Sequence, residues 1–113
     1  TAASSTTMSG DLTVTGAAAA TVDTVASASA FAIDSNVVVP TGTTGIATIT
    51  GGVSGQLLTL IFGTVITVTD DNANGANAIN LVGSANFVSA ADDTLQLVYN
   101  GTSWYEVSRS VNN

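Results

Sequence analysis

Asp70, Asn72, Asn74 and Gly75 stand in TDDNANGAN (69–77) on the opening spacing of a calcium loop, D-x-[DN]-x-[DN]-G. Such a loop closes with a bidentate glutamate at its twelfth position. Counting from Asp70, that position is Leu81, and no carboxylate lies between Asp71 and Asp92. A looser oxygen site of Asp70, Asp71, Asn72 and Asn74 is the metal candidate this leaves. The competing reading is a turn, since Asn-Gly between strand-forming segments marks a tight β-corner. The reading adopted is the turn, with no metal and no cofactor.

Catalytic chemistry has few carriers. The chain has no His, Lys or Cys, so a serine nucleophile lacks a familiar base and no Schiff-base amine exists. Paired carboxylates remain, Asp70-Asp71 and Asp92-Asp93, but neighbours on a strand point to opposite faces and form no ready-made dyad. Asp beside Asn, Ala and Gly ordinarily serves turns through bonds to its own backbone. The expectation is a non-enzymatic protein.

Three of the six aromatic residues, Tyr99, Trp104 and Tyr105, gather around Asn100-Gly101, a strong hairpin signal. A two-residue loop sets Leu97 across from Trp104, and a four-residue loop sets Tyr99 there. Exposed aromatic rings stack on sugars, so these three are the candidates for contact with a glycan; their other reading is as plugs of the core and of a subunit contact.

The elements that must hold these residues follow from the composition. At 113 residues the chain is one domain in size, 45% hydrophobic but only 8% charged. Seven Asp, one Glu and the single Arg109 give a net charge of −7, which excludes phosphate neutralisation and so nucleic acid, and offers nothing to anionic membranes. No charged residue occurs between Ser35 and Thr69, yet Pro40 and six glycines interrupt that run, so no membrane insertion is expected. With no cysteine, a small domain needs another source of stability, and oligomerisation is the candidate.

Residues 1–38, dominated by Ala, Ser, Thr and Val, read as an N-terminal arm or stalk, helical by its alanines or extended by its valines, for oligomerisation or particle attachment. LTVT (12–15) within it reads as a short strand. Residues 39–113 read as a head domain. VVVP (37–40), GIATIT, QLLTLIF, TVITVT, NAINLV, NFVS, TLQLVYN and SWYEVSR read as its strands, with QLLTLIF (56–62) central and covered on both faces. This predicts an all-β chain, a small antiparallel β-sandwich or jelly roll. Leu12, Val14, Val22, Val25, Leu58, Leu60 and Phe62 are the residues expected nearest a trimer axis.

From Gly55 to Ser110, GQLLTLIF, TVITVTD and AINLVGSANFVSAADDTLQLVYNGTSWYEVSR resemble the C-terminal repeat of bacteriophage tail fibres, tailspikes and related virion surface proteins. The resemblance covers about half the chain. It implies a small trimeric β module on the virion surface, in contact with other capsid or tail proteins, with no catalytic residues carried over. Two functions fit it: a structural fibre or decoration held to the particle by the N-terminal arm, or a receptor-binding tip that recognises a host surface glycan.

Overall fold

Short runs of Val, Ile, Leu and Thr bounded by glycine corners leave the chain one regular option, the extended strand. The computed structural model describes residues 9–71 and 75–113. It contains β1 (Val22–Ala26), β2 (Ala30–Ala32), β3 (Val37–Thr41), β4 (Thr48–Thr50), β5 (Leu57–Ile61), β6 (Thr67–Val68), β7 (Ile79–Asn80), β8 (Phe87–Val88), β9 (Thr94–Tyr99) and β10 (Trp104–Ser110). A 3-10 turn, Val82–Ser84, interrupts the series. Among the described residues no helix is long and apolar enough to cross a membrane.

The all-β expectation holds, but the sheets are mixed. β1, β3, β5, β9, β10 and β7 lie side by side in one six-stranded sheet, while β2–β4 and β6–β8 form two small sheets. β1 runs parallel to β3, β3 to β5, β2 to β4 and β10 to β7. Among the described strands β5–β9, β9–β10 and β6–β8 are the antiparallel pairs. The purely antiparallel sandwich is therefore corrected. Its physical reason is the route of the chain. From β1 the backbone visits the small sheet at β2, returns as β3, visits β4 and returns as β5, so each return runs in the same direction. The first half is thus a short coil whose circuits stack in register: Val22 beside Val37 and Val37 beside Thr59 on one side, Phe31 beside Ile49 on the other. Successive circuits pair with one another, as in solenoids, and their inner residues also meet the later strands: the Ile49 amide donates to the Asn77 carbonyl, and β5 pairs with β9. The antiparallel β9–β10 hairpin then extends the large sheet from β5, and β7 lies beyond it as the far edge.

All three sheets point their alternate residues at one core. Val38, Leu58, Leu60, Leu95, Leu97 and Trp104 from the large sheet meet Phe31, Ile49, Val68 and Phe87 from the small ones, in a single cluster of buried side chains. Phe62 and Phe87 rings lie 5.6 Å apart within it.

Three further expectations change. The division at residue 38 falls inside β3, and Phe31 and Ile33 are core residues, so the folded unit begins at β1. Among the described residues, 9–21 form no strand, LTVT included, and Leu12 and Val14 are exposed. Finally, β5 is central but covered on one face only: Leu58 and Leu60 are fully buried, whereas Leu57 and Ile61 are exposed. Leu58, Leu60 and Phe62, fully buried by their own chain, are therefore corrected as trimer-facing residues; Leu12, Val14 and Val22 are exposed and Val25 is packed against the core.

Candidate functional site

The β9–β10 hairpin carries the aromatic candidates, and a four-residue loop decides where they point. Asn100 Oδ1 accepts from the amides of Thr102 (2.9 Å) and Ser103 (2.8 Å), and the Asn100 amide donates to the Ser103 carbonyl. Gly101 takes φ +100, open to glycine at no steric cost. This side-chain clasp pairs Trp104 with Tyr99, both facing inward. Their rings lie 4.7 Å apart. The Trp104 indole N–H donates to the Ile49 carbonyl (3.0 Å), and the Tyr99 hydroxyl donates to Asn77 Oδ1 (3.0 Å). Trp104 is 0% and Tyr99 8% exposed, so both are corrected as glycan contacts. A buried ring with its polar atom bonded to the protein has no face left for a sugar. Tyr105, on the opposite face of β10 and 36% exposed, is the one of the three on the surface; the Asn100 side-chain amide approaches its hydroxyl at 3.5 Å.

The acidic loop has a different occupation. Asp70 Oδ1 accepts the Leu81 amide (2.6 Å), while the Asp70 amide donates to Asn86 Oδ1 (2.9 Å). The Asp71 amide donates to the Ile79 carbonyl (2.9 Å). Asp70 thus ties the entry of the loop to its exit, as an aspartate in a turn does. Asn72 and Asn74 lie outside the described residues. Among the described residues no group of three or more His, Cys, Asp or Glu converges.

Other carboxylates are also engaged. Asp93, 2% exposed, accepts the Ala90 amide at Oδ2 and, at Oδ1, the Asn112 amide and the Asn113 side-chain amide (2.9, 3.1 and 3.1 Å), so it pins the C-terminal residues to the β8–β9 corner. Glu106 binds Arg109 through two contacts of 2.8 Å and accepts the Val82 amide at 2.9 Å. Arg109 holds the Glu106 carboxyl below its usual range, with the Val82 bond adding to the effect, and the guanidinium lies over the Phe87 ring at 4.7 Å. At the first circuit of the coil Asp23 faces Asp34, and their side-chain hydrogen bond, with desolvation and the neighbouring charge, raises the Asp23 pKa.

Two surface features went unread in the sequence. One is a shallow depression of about 420 Å³ lined by Asp34, Asn36, Gly51, Val53, Ser54, Gly55 and Gln56. Its polar centre is internally bonded: Gln56 Nε2 donates to Asn36 Oδ1 (2.9 Å) and Oε1 accepts the Val53 amide (2.9 Å). The other is a groove of about 460 Å³ between Ala18–Ala20 and the outer face of the large sheet at Asn36, Val37, Leu57 and Thr59. Its legible signal was the alternation of Leu57, Thr59 and Ile61 within QLLTLIF. Comparison of the chain with family models, with curated proteins and with solved structures finds no match in any of the three.

Proposed function

We propose that this chain is a non-enzymatic structural protein of a bacteriophage virion surface, a trimeric fibre or decoration module attached through its N-terminal residues. The observation that carries the reading is the use made of its reactive groups. One acid of each pair that could have served chemistry, Asp70 and Asp93, holds backbone amides in place, and so does Glu106. The segment with the most specific resemblance, DTLQLVYNGTSWYEVSR, supplies the hairpin that stands between β5 and β7 in the large sheet, and its Trp104 and Tyr99 are buried in the core. Such a scaffold suits a part that lasts outside a cell without turnover. The receptor-tip reading needs an exposed aromatic platform and keeps only Tyr105 of its three candidates.

Antibody raised against the purified chain and applied to phage particles tests the proposal. Label on the head or along a fibre is expected. Particles free of the chain by both labelling and mass spectrometry would overturn it, and label confined to a tail tip would transfer the reading to receptor binding.

A further inference from the structure

The strand registers fix which residues look outward from the six-stranded sheet: Val22 and Thr24 on β1, Val37 and Val39 on β3, Leu57, Thr59 and Ile61 on β5, and across β9 and β10 Gln96, Val98, Tyr105 and Ser108. No Asp, Glu or Arg stands among them. In a chain of net charge −7, every carboxylate lies elsewhere: in the arm, at corners or on the inward side. Solvated antiparallel sheet faces ordinarily alternate apolar-in with polar-out. Here Leu57 (47%), Val22 (58%), Ile61 and Tyr105 (36% each) are left outside.

A surface cleared of charge on a strongly acidic molecule is fitted to another molecule of the same sign, because like charges opposed across a contact cost several kcal/mol. Size gives the second constraint. Six strands at ~4.8 Å by about five residues at ~3.3 Å make on the order of 400 Å², about half of the ~800 Å² that a stable interface takes from each partner. More surface must come from elsewhere in the partner. Residues 9–20 supply it: they are exposed throughout, with Leu12 (69%) and Val14 (47%) two apart. Ala18–Ala20 of the same chain form one wall of the groove beside Val37 and Leu57, and the exposed Leu12 and Val14 precede that wall along the chain without lining the groove. The four-residue step from Val14 to Ala18 spans up to about 13–14 Å when extended, a reach suited to a neighbour.

We propose that copies of this chain associate through the charge-free outer face of the large sheet, with the Leu12–Val14 segment of one copy seated in the groove beside Val37, Leu57 and Thr59 of the next. The contact is heterologous, so a rotation that closes gives a ring and one that does not gives a filament. The number of copies rests on the trimer proposed above; the contact itself does not depend on the particle.

Because the chain has no cysteine, two single variants can be mixed. Val14→Cys chains mixed with Leu57→Cys chains, then oxidised, should give a disulfide-linked pair. Its initial rate of formation should stand on the order of a thousandfold above that of Val14→Cys mixed with Val88→Cys, since adjacency raises effective concentration to ~mM against micromolar collision. Val88 is exposed (59%) but belongs to β8, away from this face. In light scattering at micromolar concentration, Leu57→Asp should dissociate the assembly to monomer and Val88→Asp should leave it intact, both keeping the far-ultraviolet spectrum of strands. A wild-type monomer, equal cross-linking at positions 57 and 88, or equal dissociation by the two aspartates would each overturn the proposal. Absence of the chain from particles, by contrast, would overturn only the virion reading.

Discussion

Gly52 is the position where one added methyl group should matter most. A Cβ built there lies 2.6 Å from Trp104 Cζ2, 3.0 Å from Tyr99 Cδ2 and 3.2 Å from Trp104 Cη2. Neither ring has room to retreat. Trp104 is fully buried and fixed by its indole bond to Ile49, and Tyr99 is fixed by its hydroxyl bond to Asn77. Forcing an extra carbon into such a site costs ~1–3 kcal/mol, offset by the ~0.4–1 kcal/mol that Gly→Ala gains by restricting the unfolded chain. A net loss of about 1–2 kcal/mol remains. For 113 residues the unfolding entropy is about 0.24 kcal/mol per kelvin, so Gly52→Ala should lower Tm by about 4–8 °C. Gly63 supplies the control: its Cβ meets nothing within 4 Å and its φ lies outside the left-handed region, so Gly63→Ala should hold or raise Tm. Scanning calorimetry of both checks the contrast. A second arm uses Trp104→Phe, which removes the two indole carbons that collide. That substitution is itself costly, but Gly52→Ala made on top of it should cost markedly less than in the wild type. Equal Tm for the two alanine variants, or strict additivity in the double variant, would refute the packing described here.

Ser89 is buried, accepts the Ile66 amide at 2.9 Å and donates to the Thr64 carbonyl at 2.7 Å; Ser89→Ala should cost ~1–3 kcal/mol in urea unfolding because a buried N–H loses its acceptor. Asp70→Ala should destabilise by about 1 kcal/mol through loss of the Leu81 bond, and millimolar calcium should leave the wild-type Tm unchanged; a rise abolished by that substitution would restore the metal reading. Glu106 has a lowered folded-state pKa, so its contribution is present above the unfolded value of ~4.3 and is lost as pH falls through the folded one. The stability gap between wild type and Glu106→Gln, of order 1 kcal/mol after discounting for the exposed side of Arg109, should therefore close in acid. Asp23 has the opposite sign: a raised carboxyl stabilises below the unfolded ~3.9 and loses that contribution as pH rises. Asp23→Asn should raise Tm at neutral pH and lose its advantage in acid.

The strands themselves were legible in the residues. From Val37 onward each predicted run contains a strand, because β-branched side chains between glycine corners allow little else. What periodicity could not give was direction. A glycine corner after GIATIT reads the same whether the chain turns back beside itself or crosses to another sheet, so parallel circuits passed for hairpins. The arm boundary failed for a related reason: small residues in TVDTVASASAFAI suggested a chain without a core, but Phe31 and Ile33 enter a core built by residues far along the sequence. Among the aromatics, adjacency predicted that Trp104 and Tyr105 face opposite ways, and they do; which one faces inward depends on the loop length that Asn100 selects.

The uncharged run from Ser35 to Thr69 acquires its meaning only on this fold. As a linear segment it suggested a bilayer, and its glycines and proline argued against a helix. Coiled into β3, β4, β5 and β6, the same run supplies inward residues to the core and outward residues to a face without charge. Edge protection shows the complementary use of charge. Among the described residues β1 has one strand neighbour, which leaves a row of backbone groups open to another strand. Asp23 stands on the inward side of that edge, level with Val38 and beside Asp34, where a second strand would have to enclose two carboxylates. The edge thus resists a neighbouring strand, and the association proposed above would be directed onto the sheet face and away from continuation of the coil.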